Sequence, residues 1–115
     1  GHNPAGGEAV AATLARMPAR PTYLICGMIN TKDVRGYMQP LNGHARRLYA
    51  VTIPNEANSL PAEVTCAAAR SAGIEAVVAD SPAAALAAIV AENPTARVLI
   101  CGSLYLAGQI LRENG

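Results

Sequence analysis

Tyr23-Leu24-Ile25-Cys26-Gly27 is an unbroken apolar run that stops at a glycine, and Arg97-Val98-Leu99-Ile100-Cys101, followed by Gly102-Ser103, repeats the pattern near the other end of the chain. Neither run alternates between apolar and polar residues. Each therefore predicts a strand covered on both faces, as in a parallel sheet. Working outward, two more strands are expected over 48–53 and 75–79. Between the strands the spacing turns helical. Val10, Leu14 and Met17 share one face of a helix over about 4–17, which Pro18 and Pro21 end. Val34, Tyr37, Met38 and Leu41 predict a short helix over about 32–41, with Thr31 as its cap and Asp33 in its first turn. Pro61 opens a third helix that Gly73 stops, with Glu63 in the first turn. Asp80-Ser81-Pro82 opens a fourth: Ser81 caps, Pro82 is pre-set for the first turn, and Leu86, Ile89 and Val90 are expected to point inward. A last helix is expected from Gly102-Ser103 to Asn114-Gly115. Helices alternating with strands at crossover length predict a doubly wound, three-layer α/β domain, with a mostly parallel sheet and helices on both faces. The chain has 115 residues, which suits a single domain.

Composition narrows the function. Nine Lys and Arg against eight Asp and Glu leave a formal charge of +1, too weak a field to attract nucleic acid or an acidic membrane. Arg46-Arg47 reads as a solvated strand start. There is no run long and apolar enough to span a bilayer, and no signal-peptide pattern at the N-terminus. Cys26, Cys66 and Cys101 are odd in number and lack C-x-x-C spacing, so they read as small buried hydrophobes in a reducing, cytoplasmic setting. With no Phe and no Trp, the core is expected to consist of Val, Ile, Leu, Met and Ala.

Several α/β chemistries are absent from the sequence. It holds no G-x-x-x-x-G-K-[ST] phosphate loop and no G-x-G-x-x-G dinucleotide fingerprint. It has no paired thiol and no G-x-S-x-G elbow. Asp80 alone directly follows a strand, which argues against a phosphoacceptor receiver. His2 and His44 have no Cys or acidic partner at ligand spacing, so no protein-built metal site is expected.

In open parallel sheets, ligands meet the carboxyl ends of the strands. Three segments fall there. Gly102-Ser103-Leu104-Tyr105 offers a hydroxyl and helix-start N–H groups suited to a carboxylate or phosphate. Gly27 to Asp33 carries Lys32, suited to an anion, and Asp33, suited to an ammonium. Gly1-His2-Asn3-Pro4 places a histidine before the first helix, where it can bond a phosphate or orient a carboxylate. Each also has an ordinary reading: an N-cap, a polar loop, and a turn or tag remnant.

Taken together and in order, these segments are more specific. Gly1-His2-Asn3-Pro4-Ala5-Gly6-Gly7 resembles the Gly-Ala-His-Asn-Pro segment of folylpolyglutamate synthases and dihydrofolate synthases. Gly27-Met28 with Lys32-Asp33-Val34 resembles their Gly-Met-x(3)-Lys-Asp stretch. Leu60-Pro61-Ala62-Glu63 resembles a helix start of that family, and Val98 to Tyr105 with Gly108 resembles its closing strand-Gly-Ser-helix. The resemblance is to the Rossmann-like C-terminal domain of this branch of the Mur-type ligases, and it covers the whole chain, 1–115, as one glutamate-side domain. It implies an ATP-dependent ligase that adds L-glutamate to folates or dihydropteroate through an acyl phosphate. ATP and Mg²⁺ are then used by the full-length enzyme. A larger N-terminal ATPase domain, outside this chain, is the partner that holds them, and the present domain alone is expected to bind neither and to be inactive. By the same resemblance, His2 is the catalytic residue near the ATP phosphates, with Asn3 beside it, and Ser103, Lys32 and Asp33 lie on the glutamate side. The family's acidic residue upstream of His-Asn-Pro, with its strand, would fall before Gly1, so the sheet is expected to be one strand short, with an exposed edge. Two alternatives stand beside this reading: the same domain from a cell-wall Mur ligase, and a stand-alone module binding a small anion at Ser103.

Overall fold

A computed structural model of the chain describes residues 4–29 and 33–103. The elements run α1 (Pro4–Arg16), β1 (Thr22–Gly27), α2 (Val34–Met38), a 3-10 turn (Gln39–Leu41), β2 (Arg47–Ala50), α3 (Ala62–Ser71), β3 (Ala76–Val78), α4 (Pro82–Glu92) and β4 (Arg97–Gly102). The four strands form one parallel sheet in the order β3-β2-β1-β4. The chain thus builds outward from β1 to β3, then crosses back to place β4 on the other side of β1. The expected parallel three-layer α/β architecture is present. The expected last helix lies outside the described residues.

Alternation along the strands divides the core. Leu24, Cys26, Leu48 and Ala50 face α1, α2 and α3, whereas Tyr23, Ile25, Tyr49 and Val51 face α4 through Ala85 and Ile89. Every residue of β1 is buried, which explains why its sequence is apolar without alternation. Each fully buried Leu or Ile contributes roughly 2 kcal/mol by transfer from water. Small residues let the helices lie close. On α1 the buried face is Gly7, Ala11 and Leu14, and a Cβ at Gly7 would run into the Tyr37 carbonyl of α2.

Five expectations need correction. The two largest fully buried side chains are tyrosines, Tyr23 and Tyr37, so the core is not purely aliphatic. Each ring is accommodated because its hydroxyl finds a partner: Glu92 for Tyr23 and the Gly102 N–H for Tyr37. Met17 lies past the end of α1 and is exposed, and Val90 is 48% exposed. Ala85 and Ile89 take the inward stripe of α4, one turn apart, and leave Val90 on the outer side. The cap of α2 is Asp33, whose Oδ1 accepts from Gly36 N at 2.8 Å, so the helix starts one residue after it. Arg47 is not merely solvated: it pairs with Glu75 at 2.6 Å and with Glu92 at 2.7 Å. Ser81 caps α4 as expected, accepting from Ala84 N at 3.0 Å.

Candidate functional site

β1 and β4 are in register along their whole length and end together, Gly27 beside Gly102. Gly102 has φ 70°, a left-handed conformation that disfavours a side chain, and a Cβ there would lie 2.6 Å from Met28 Sδ and 2.8 Å from the Gly27 carbonyl oxygen. Only glycine lets the chain leave β4 this close to β1.

Neutral hydrogen bonds fasten the junction around this glycine. The Gly102 N–H donates to the buried Tyr37 hydroxyl at 2.7 Å. Ser103, itself buried, accepts from the Ile29 N–H at 3.1 Å through its Oγ. On the other side of the same loop, Leu60 N donates to the Met28 carbonyl at 2.7 Å, and Ile29 pairs with Ser59 in a single antiparallel bridge. Ser59 Oγ accepts from Ile53 N at 2.8 Å and donates to the Leu60 carbonyl at 3.0 Å. Thr52 Oγ1 accepts from Ala62 N at 3.0 Å, which supplies the start of α3 with an acceptor its own cap residue Pro61 lacks. The segment after β1 is thus held by the Ser103 hydroxyl on the β4 side and by the backbone of Ser59 and Leu60 on the other, a stretch that the Ser59 hydroxyl itself fastens.

Two ionisable groups beneath this junction, Tyr37 and Cys26, are kept neutral. Burial, reinforced by the neighbouring Cys101 and Cys26, pushes the Tyr37 phenol well above its usual range. The Cys26 thiol is raised by its hydrogen bond with Cys101 and by burial. All three cysteines are free and buried. Neither Cys26 nor Tyr37 is set up as a nucleophile or base; the Tyr37 hydroxyl instead holds the Gly102 backbone. A groove of about 350 Å³ runs between α1 and β4, lined in part by Gly6, Val10, Tyr37, Cys101 and Gly102. A second, open hollow of about 720 Å³ lies at the ends of β2 and β3, lined by Thr52, Asn55, Glu56, Asp80 and Ser81 among others.

Of the residues singled out from the sequence, Ser103 stands at the carboxyl edge of the sheet, bonded to the loop after β1. Asp33 is exposed and uses its carboxylate to cap α2. His2, Asn3 and Lys32 lie outside the described residues. Sequence reading missed Tyr37, Ser59 and Thr52. The available signal was a tyrosine on the inner face of an amphipathic helix, whose hydroxyl needs a buried partner. Among the described residues, no group of three or more His, Cys, Asp or Glu gathers as a metal site, and no helix is long and apolar enough to cross a membrane.

Comparison with solved structures finds the same fold in two bacterial enzymes. A Mycobacterium tuberculosis folylpolyglutamate synthase complexed with ADP and AMPPCP matches at 24% identity and a TM-score of 0.69, over 89% of this chain and 25% of that one. Escherichia coli FolC in complex with DHPP and ADP matches at 22% identity and a TM-score of 0.76, over 100% of this chain and 28% of that one. The chain therefore spans about a quarter of the length of these structures. Comparison with curated proteins finds no match. The family described as "Mur ligase, glutamate ligase domain" matches residues 1–104. With a match over nearly all its length and a parallel α/β sheet of the same fold, the chain belongs to the Mur ligase glutamate ligase domain family.

Proposed function

We propose that this chain is the glutamate-side, C-terminal domain of an ATP-dependent ligase that joins L-glutamate to folates or to dihydropteroate. The observation that carries the reading is the glutamate ligase domain match over residues 1–104. The likeness to a folylpolyglutamate synthase holding ADP, and to FolC holding DHPP and ADP, supports the folate branch. In this reading a substrate carboxylate attacks the γ-phosphate of ATP, the glutamate amine attacks the resulting acyl phosphate, and phosphate leaves. Mg²⁺ balances the phosphoryl charge. ATP and Mg²⁺ are assigned to a separate N-terminal ATPase domain, the sequence itself holding no G-x-x-x-x-G-K-[ST] phosphate loop.

The domain's own contribution is positional. Ser103 holds the backbone of Ile29 through one lone pair, and its O–H is a donor suited to a glutamate carboxylate. Lys32 and Asp33 follow on the same loop and are assigned to the glutamate side. His2, with Asn3, is assigned to the phosphate side, where it orients the transferring group. The cleft is thus shared between two domains, and the isolated chain is inactive.

The test is made on the full-length polypeptide that carries this chain. ATP-dependent incorporation of glutamate is measured with folate, dihydropteroate and a cell-wall nucleotide precursor as acceptors. Turnover with one or both pterin acceptors is expected. Turnover with the cell-wall precursor alone would move the chain to the other branch of the family, and no glutamate ligation at all would end the proposal. Ser103→Ala is expected to raise the KM for glutamate and spare that for ATP, and His2→Ala to lower kcat.

A further inference from the structure

The ladder between β1 and β4 leaves the last N–H of β4 for another group to take. Arg97 N donates to the Pro21 carbonyl at 2.8 Å, and in a parallel pair only alternate residues of a strand bond to a given neighbour. Residues 98, 100 and 102 therefore turn their N–H groups away from β1. At Gly102, where the strand ends, that N–H donates to the Tyr37 hydroxyl of α2 at 2.7 Å. Tyr37 is fully buried. A Cβ at Gly7 of α1 would run into its carbonyl, so the residue is held from behind as well.

This bond closes a ring. Ser103 follows Gly102, and its Oγ accepts from Ile29 N at 3.1 Å. Further along the loop after β1, Asp33 starts α2: its Oδ1 accepts from Gly36 N at 2.8 Å and its carbonyl from Tyr37 N at 3.2 Å. Tyr37 then returns to Gly102. The loop is thus anchored at Ile29 by Ser103 and at Asp33 by α2, and the Tyr37 hydroxyl links the two anchors. Lys32 falls between them in the sequence.

We propose that Tyr37 is a positioning residue for glutamate: its phenol fixes the spacing between Ser103 and the loop that carries Lys32 and Asp33. This rests on the assignment of Ser103, Lys32 and Asp33 to the glutamate side. The hydroxyl touches no substrate and moves no proton; it acts through Gly102. A phenylalanine in its place fills nearly the same volume but leaves the buried Gly102 N–H unpaired, and relieving that N–H shifts the peptide that precedes Ser103.

The test is steady-state kinetics of the full-length polypeptide carrying Tyr37→Phe, assayed below its unfolding transition. A tyrosine that serves stability alone would lower the active fraction, hence kcat, and leave both KM values unchanged. A positioning tyrosine moves them unequally: KM for glutamate should rise about fivefold or more, with KM for ATP staying within about twofold. Ser103→Ala supplies the second arm. Because Tyr37 acts through Ser103, the two substitutions should not add, and Tyr37→Phe should raise the glutamate KM by less than about twofold in the Ser103→Ala background. An unchanged glutamate KM, an equal rise for ATP, or full additivity overturns the proposal. Should Tyr37→Phe fail to fold, 3-fluorotyrosine placed at position 37 weakens the acceptor without removing it; a raised glutamate KM supports the proposal and an unchanged one refutes it. Failure of the proposed function shows itself separately, as no glutamate ligation by the unsubstituted enzyme or no effect of Ser103→Ala. In that case amide exchange at Ile29 decides the link: Tyr37→Phe should accelerate it more than exchange at the centres of β1 and β2, and an unchanged Ile29 sinks it.

Discussion

The two ends of the sheet are built from different chemistry. At the amino end, charge does the fastening. Arg47 bridges Glu75 and Glu92, Tyr23 donates to Glu92 at 2.6 Å, Arg20 reaches the Thr95 carbonyl, and Arg97 reaches the Pro18 carbonyl. At the carboxyl end, around the β1–β4 junction and the loop beside it, the fasteners are neutral: glycine backbone, the Tyr37 phenol, and the hydroxyls of Ser103, Ser59 and Thr52. Exposed ion pairs contribute little and tolerate exchange. Buried neutral hydrogen bonds are costly to break on one side. The contrast shows where rigidity is concentrated. The β1–β4 junction at the carboxyl edge is fixed without using fixed charge, while the Asp33 carboxylate on the loop after β1 is engaged in capping α2.

Substitutions at the two ends should therefore differ in size. The largest effect is expected for Gly102→Ala, which forces a side chain into a left-handed conformation and against Met28 and Gly27. A loss of about 3 kcal/mol, from strain and overpacking together, should be read in urea unfolding. A loss under about 1 kcal/mol would mean the junction is far looser than its geometry implies. Next comes Tyr37→Phe, which leaves the Gly102 N–H without its acceptor and should cost about 1–3 kcal/mol by the same measurement. Ser103→Ala removes the acceptor of a single backbone N–H and should cost about 1 kcal/mol. Hydrogen exchange at Ile29 should accelerate more than at the strand centres, which would separate a local release from general loosening.

The amino end should respond least, and mainly to pH. Glu92 is held below the usual carboxylate range by the hydrogen bond from Tyr23, with Arg47 adding to it. Its stabilisation is therefore present above the ordinary carboxylate pKa and fades as pH falls through the lowered folded value. Tyr23 is raised, chiefly by the same hydrogen bond, so its share is present below the ordinary phenol pKa and fades as pH rises through the raised one. Glu92→Gln should flatten the acid limb of a Tm-against-pH curve and change the neutral plateau little. An unchanged acid limb would show that the amino-end network carries no linkage.

Much of the fold was legible because its signals are local. Unbroken apolar runs closing at Gly27 and Gly102 mark buried strands and their ends, and Ser81-Pro82 marks a helix start. The features that escaped depend on what lies across space. Strand order is set by which strand β4 joins, and no residue in β4 states that it pairs with β1. Tyr23 and Tyr37 read as amphipathic residues until their partners, 69 and 65 residues away, are known. Thr31 and Asp33 are both good caps, and the choice between them is one of backbone path. Val90 fits the apolar stripe by spacing alone, yet the sheet beneath α4 is met by Ala85 and Ile89. For the candidate site, Ser103 was visible as a polar residue just past a strand, while Ser59 and Thr52 sit in a loop of similar residues and carry no distinguishing pattern.

The position of β4 has a consequence for how the molecule assembles. β1 precedes β2 and β3 in the chain, but its second neighbour, β4, follows them and the intervening helices. Contacts of such long sequence separation form late and slow folding. The junction at the carboxyl edge therefore closes late: Gly102 meets Tyr37 only once nearly all the described residues exist.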